Sequence, residues 1–462
     1  MCRIVRLAAR WAGRYRRRMT SLRFTAALAA LAVAAPAAAA PPRLSPAESR
    51  MVTTVDAEQP RSLALLERLV NQNSGSMNLA GVEAVGKMVG AELEPLGFEV
   101  RWIPLRETGR AGHLVAHHAG PSTGSGQVGK KLLLIGHLDT VFETDSPFQR
   151  WTRDGNAGHG PGASDDKGGD VVMIAALRAM KAAGTLKAAD ITVFLTGDEE
   201  DAGNPLSVAR RDLIAAGRQA DVALDFEGLS QSDRGEDMGA IARRGAMSWT
   251  VRVKAKPGHS SGVFSDAAGF GAAYEVARIV DSFRRELTDD KLTYNVGLVA
   301  AGTTAALDPD RIRLSATGKT NIIAAEGVIR GDLRALTPAQ LARTQAKMRA
   351  IVALPLGGAA STIEFDEDAY PPMAPTAGNQ ALLDRLNHVN VGLGLPAQAP
   401  IDPLRRGAGD ISFVAADVDG LVGLGPASSG DHTSAETVDI ASIWRQAKRA
   451  AILMSRLAAE KR

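Results

Sequence analysis

Three short apolar runs end directly in a histidine or a carboxylate: Lys131-Leu132-Leu133-Leu134-Ile135, Ile191-Thr192-Val193-Phe194-Leu195 and Val222-Ala223-Leu224. Runs this short, with no polar alternation, suit strands buried on both faces of a helix-covered parallel sheet. The first continues into Gly136-His137-Leu138-Asp139. The second continues into Thr196-Gly197-Asp198-Glu199-Glu200-Asp201, and the third into Asp225-Phe226-Glu227-Gly228. Ligands of open α/β sheets bind at the carboxyl ends of the strands, so the chemistry is expected along one sheet edge.

The rest of the pattern supports that architecture. Ser45-Pro46-Ala47-Glu48 is a capping box with proline at the first helical position. Helical spacing follows through Leu63, Leu65, Leu66, Leu69 and Val70, and again from Val82 to Leu96. Phe98–Val100 suggests a short strand, and Gly120–Gly129 a glycine- and serine-rich turn. Asp170–Ala183 predicts a helix closed by Gly184, and Ser207–Ala216 predicts another. Beyond Ala240 the pattern changes. Trp249–Val253 alternates like a half-exposed strand, followed by a helix over 267–287 and strands at 293–299 and 327–333. A helix over 338–351 and a strand at 362–365 complete the order β, α, β, β, α, β. A final helix is expected near Ile440–Leu457.

The fold class is therefore α/β: a larger domain with a mixed, mostly parallel sheet flanked by helices, interrupted by a smaller α+β insert. The expected boundaries are a leader over 1–40, a first segment of the larger domain over 41–240, the insert over 241–368 and its second segment over 369–462.

The leader explains a misleading charge. Residues 1–39 carry eight arginines and no acid, then an apolar Ala/Leu run ending in Ala37-Ala38-Ala39-Ala40-Pro41. That is the layout of a secretory signal peptide, starting at Met1 or Met19, and predicts a periplasmic or secreted protein without a membrane anchor after cleavage. Setting these eight charges aside turns the formal +3 into −5. With only 4% aromatic residues as well, nucleic-acid binding is not expected.

Cys2 is the only cysteine, so any metal site must use His, Asp and Glu. Two further segments offer such groups. Gly160-Pro161-Gly162-Ala163-Ser164-Asp165-Asp166-Lys167-Gly168-Gly169 opens a helix and lacks phosphate-loop spacing, and Gly430-Asp431-His432-Thr433 lies in a late loop. Each motif alone is compatible with a cap or a solvated turn. Together they place imidazoles and hard oxygen donors at one edge, which suits zinc, cobalt or manganese.

The motifs Gly-His-Leu-Asp-Thr-Val, Gly-Pro-Gly-Ala-Ser-Asp-Asp-Lys-Gly-Gly and Asp-Glu-Glu resemble those of the co-catalytic zinc metallopeptidases. That family includes glutamate carboxypeptidase, aminoacylases and succinyl-diaminopimelate desuccinylase. The resemblance spans roughly residues 45–460 and is strongest toward the glutamate carboxypeptidase branch. It implies two zinc ions bridged by Asp165. His137 and Glu227 would complete one site, with Asp225 as the alternative to Glu227, and Glu200 and His432 the other. Glu199 would be the general base, and Asp139 would orient His137. Pro257-Gly258-His259-Ser260-Ser261 resembles the family's lid motif, whose histidine stabilises the oxyanion and in dimeric members crosses the subunit interface. A homodimer through the insert is thus implied. Asn321 would contact substrate, and Arg334 would pair with either a substrate carboxylate or a lid acid. Ala324 stands where the family usually has proline, and Arg405-Arg406-Gly407-Ala408-Gly409-Asp410 varies a glycine-rich segment.

The expected reaction is amide hydrolysis of a small peptide or N-acyl amino acid, foremost removal of a C-terminal, glutamate-like residue. An aminoacylase or deacetylase is the alternative within the class. An exported binding protein without activity is the alternative outside it.

Overall fold

The computed structural model describes residues 44–120 and 129–462. The expected leader, and residues 121–128 of the expected turn, lie outside the described residues. The described residues form one compact unit.

The principal sheet has six strands, in the order Glu99–Pro104, Gly112–His118, Asp190–Thr196, Lys131–His137, Val222–Asp225 and Gly420–Leu421. The last four are parallel neighbours, whereas Gly112–His118 is antiparallel to both strands beside it. The sheet is thus mixed and mostly parallel.

The apolar runs are continuous because successive residues enter two different cores. Leu132, Leu134, Ile191, Val193, Leu195 and Leu224 face one side, against the helices Lys167–Ala183 and Ile440–Ala459. Leu133, Ile135, Phe194 and Ala223 face the other, against Leu213, Ile411 and Val414. Each fully buried side chain of this size contributes roughly 1.5–3 kcal/mol.

The opening capping box forms as expected: Ser45 Oγ accepts from Glu48 N, and the Glu48 carboxylate accepts from Ser45 N at 2.7 Å. Glu48 also receives Arg456 Nε at 2.7 Å, tying the first helix, Pro46–Ala57, to the last.

The insert carries a four-stranded antiparallel sheet in the order Thr293–Gly302, Glu326–Arg334, Met247–Ala255 and Ala359–Phe365. Trp249, Val251 and Val253 point into a core shared with the helices Ala272–Glu286 and Pro338–Val352.

Several elements differ from expectation. Gly112–His118 is a strand whose three histidines disguise an apolar interior run; buried His113 satisfies Nε2 against Ala209 O at 2.8 Å. The helix expected over 207–216 is two short helices, Leu206–Ala209 and Arg211–Gly217, broken at the buried Arg210. A hairpin of Thr304–Leu307 with Leu314–Thr317 projects between two insert strands. A small sheet pairs Ser428–Ser429 and Thr437–Asp439 with Ala157–His159, anchoring the late histidine loop beside the glycine-rich loop. Among the described residues, no helix is long and apolar enough to cross a membrane.

Candidate metal centre

The parallel strands Lys131–His137 and Asp190–Thr196 are in register, with His137 opposite Thr196. The His137 side chain and the Glu199–Glu200 loop therefore leave the sheet at the same level. Asp165 approaches from the glycine-rich loop ahead of the helix Lys167–Ala183. That loop lies close against the sheet edge: a Cβ on Gly169 would stand 2.1 Å from Asp166 Oδ1 and 2.2 Å from Phe226 O.

Asp165 stands between the two histidines. Its Oδ1 is 3.0 Å from His137 Nε2, and its Oδ2 is 3.0 Å from His432 Nε2. His432 Nε2 is also 3.2 Å from Glu200 Oε2. Donor atoms of His137, Asp165 and Glu200 all lie within 4.8 Å of one another, close enough to share ions. His432 adopts φ 62°, an unusual value for a residue with a side chain, of the kind that gathers at functional sites.

Asp139 does more than orient an imidazole. His137 Nδ1 lies 3.2 Å from its main-chain oxygen and 3.4 Å from its carboxylate. The carboxylate accepts from Glu199 N at 3.0 Å, Glu200 N at 3.1 Å and Ser76 Oγ at 2.6 Å. One buried acid thus fixes His137 and the Glu199–Glu200 loop together.

Glu227 lines the same cleft, of about 390 Å³, with Glu199, Glu200, Asp165 and His432. Asp225 does not line it. Glu227 is held by Arg243 Nη1 at 2.8 Å, with Arg406 Nη2 at 3.4 Å. Arg405 and Arg406 line the same cleft, Arg406 beside Glu227 and Arg405 paired with Asp233 at 3.1 Å.

The crowding of charge shifts the titrating groups. Hydrogen bonds to Asp165 and then Glu200 raise His432 to about 11. Burial disfavours the charged form of His137, but Asp139 and Asp165 outweigh it and raise the imidazole well above its usual value. Burial and the nearby Glu227 charge push Glu199 well above the ordinary carboxylate range. Glu227 also suffers burial, yet the Arg243 charge pulls it below its usual value.

The insert residues lie apart from this cluster. His259 is exposed, with Nδ1 2.8 Å from Ser261 Oγ, and Asn321 is exposed beside it, its carbonyl accepting from Ser260 N at 2.9 Å. Neither lines the cleft. Arg334 pairs with a lid acid, Asp332, at 3.0 Å, and lines a groove shared with Arg244, Arg405 and Arg406. His159 is held in the small sheet by Thr437 Oγ1 at 2.8 Å and is also absent from the cleft wall.

Four supporting residues were not apparent as such in the sequence. Arg243 grips Glu227. Glu436 accepts from the main-chain N–H groups of Gly162, Ser164 and Asp165 at 3.2, 3.0 and 3.3 Å, clamping the loop that carries Asp165. Arg210 and Tyr370 brace the loop behind Glu199. Glu436 lies four residues after His432 and offered the only local hint.

Residues 133–456 match peptidase family M20/M25/M40, and the chain belongs to that family. Carboxypeptidase G2 of Pseudomonas sp. (strain RS-16) is 32% identical over 268 residues, which are 56% of this chain and 60% of that protein. A succinyl-diaminopimelate desuccinylase of Methylibium petroleiphilum is 27% identical over 407 residues, 84% of this chain and 96% of the relative. The match to a Xylella fastidiosa desuccinylase spans 48% of that relative's length. In three dimensions, aminopeptidase PepT of Bacillus cereus superposes with a TM-score of 0.68 at 17% identity, covering 87% of this chain and 99% of the neighbour. A dinuclear metal-binding M20 peptidase of Bacillus subtilis gives 0.60 at 14% identity, covering 87% and 98%. These neighbours share the fold.

Proposed function

We propose that the protein is a metal-dependent amidohydrolase that removes a C-terminal, glutamate-like residue from small peptides or N-acyl amino acids. The observation that carries this reading is the convergence of His137, Asp165, Glu200 and His432, with Glu199 on the same loop. An imidazole and carboxylate donor set with no thiolate fits two zinc ions, and also cobalt or manganese. Asp165 would bridge them, His137 and Glu227 would hold one, and Glu200 and His432 the other.

When bound, such ions act as Lewis acids and lower the pKa of a water toward neutrality. Glu199 takes the proton of the attacking water and delivers it to the departing amine. Its burial beside other acids supports this role, because a raised carboxyl is a better acceptor near neutral pH. Arg405 and Arg406, which line the cleft, would supply cations for the free carboxylate of the substrate. His259, exposed and away from the cleft of its own chain, supports an oxyanion role exercised across a homodimer.

The test is a panel of dipeptides and N-acyl amino acids offered to the zinc-loaded chain. Release of C-terminal glutamate or a similar residue is the expected result. Preference for N-acetyl or N-succinyl groups regardless of the amino acid would move the assignment to an aminoacylase or deacylase. Tight binding of these compounds without turnover would make it a binding protein.

A further inference from the structure

The chain crosses between the principal sheet and the insert twice, and the two crossings pair with each other. Arg243 N donates to Met373 O and Met373 N to Arg243 O, both at 3.0 Å. Ala246 and Tyr370 exchange the same pair of bonds, also at 3.0 Å. One end of the returning segment belongs to the insert: Asp366 N donates to Ser248 O at 2.9 Å, and Arg330 Nη2 meets the Asp366 carboxylate at 2.9 Å. A few residues later the same segment touches the acidic loop of the proposed centre. Asp368 accepts from Asn204 Nδ2 at 3.2 Å and Leu206 N at 3.3 Å. Tyr370 OH donates to the main-chain carbonyl of Glu199 at 2.9 Å.

That last bond has a fixed frame. Arg210 Nη2 donates to Tyr370 OH at 3.1 Å and to Asp198 O at 2.9 Å, while its other nitrogens meet Asp198 at 2.7 Å and Asp410 at 2.8 Å. The Tyr370 ring packs edge-on to Phe413 with centroids 4.9 Å apart. The hydroxyl is therefore held by a buried cation, and its one proton is aimed at the Glu199 carbonyl. A main-chain carbonyl beside a reacting side chain needs such a partner, because burying it unpaired destabilises that local geometry.

We infer that Tyr370 is a positioning residue: through its hydroxyl, the segment returning from the insert sets the placement of Glu199. The inference rests on Glu199 being the general base. A displacement of that carboxylate by a fraction of an ångström lowers the rate of proton transfer without weakening ground-state binding.

The test is Tyr370→Phe in the full, metal-loaded chain. It keeps the ring on Phe413 and removes two bonds, the donor to Glu199 O and the acceptor for Arg210 Nη2, which retains its bond to Asp198 O. The expected result is a kcat lowered roughly tenfold, with KM within about twofold and metal content unchanged. Unchanged kcat with a lower melting temperature would show a purely structural tyrosine and overturn the inference. Loss of metal in proportion to activity would overturn it as well, since the defect would then lie in the ligands. Phe413→Leu is the companion variant, removing the packing but not the hydroxyl. It should lower the melting temperature at near wild-type kcat, and an equal kcat loss there would deny the hydroxyl its role. A wild-type chain inactive on the whole substrate panel defeats the proposed function; an active one indifferent to Tyr370→Phe defeats only this inference.

Discussion

The edge of the principal sheet and the tip of the insert both carry residues assigned to the reaction, yet they are built in opposite ways. At the sheet edge buried partners hold most of the assigned groups: Asp139 for the Glu199–Glu200 loop, Glu436 for the Asp165 loop, Arg243 for Glu227; His432 is exposed but tied to Asp165 and Glu200. At the insert tip His259 and Asn321 are exposed and held only by their own loop. The first region is organised before substrate arrives. The second is left free to meet something outside its own cleft. Buried hydrogen bonds are concentrated where the proposed reaction would need ions and a proton placed to a fraction of an ångström.

Substitutions should separate the two regions. Asp165→Asn removes the shared carboxylate and is expected to abolish metal binding and lower turnover by several orders of magnitude, read by metal analysis and steady-state rates. An Asn variant that keeps both metals would break the comparison at its strongest point. Arg210→Met leaves Asp198 and Asp410 buried without their cation. It should cost about 3–5 kcal/mol in denaturant unfolding, as other broken buried ion pairs do.

His259→Ala belongs to the other region and should behave differently. Stability and metal content stay at wild-type values, while kcat falls roughly a hundredfold, the scale of one lost oxyanion partner. If His259 serves a second copy, mixing His259→Ala chains with Glu199→Gln chains restores part of the activity. No recovery on mixing, with a stable dimer present, would place His259 in its own cleft.

The smallest effect lies away from both regions. Glu48 closes the opening cap and pairs with Arg456. Burial works against its charge, but the Arg456 and Ser45 hydrogen bonds win and lower its pKa below 4.5. A depressed carboxyl contributes stability above its unfolded pKa, and loses it as pH falls through the folded value. Glu48→Gln should therefore lower the melting temperature slightly at pH 7, and the difference should fade in acid.

The strand-end motifs were legible because their information is local. His137, Asp139, Glu199 and Glu200 each follow an apolar run whose length and flanks reveal a buried strand, and Asp165 precedes a readable helix start. The insert's βαββαβ order is legible for the same reason: Trp249, Val251 and Val253 alternate with the polar Thr250, Arg252 and Lys254. The bracing of the centre was not. Arg210, Asp410 and Tyr370 come together from distant segments, and no spacing announces a buried guanidinium between two carboxylates. The strand Gly112–His118 was missed because histidines read as polar punctuation, although His113 is fully buried with its nitrogen satisfied. The sequence suggests a single helix around Arg210 because the break falls at a buried ion pair with Asp198 and Asp410, not at a glycine or proline.

The central claim is that Glu199 transfers the proton in a centre whose ligands are other residues. The direct measurement is turnover and bound metal for Glu199→Gln beside wild type, on the best substrate of the panel. Metal content should be the same in both, with kcat lowered by about 10²–10⁴, the usual worth of a general base. Wild-type turnover by the glutamine variant, or loss of metal along with activity, would contradict it.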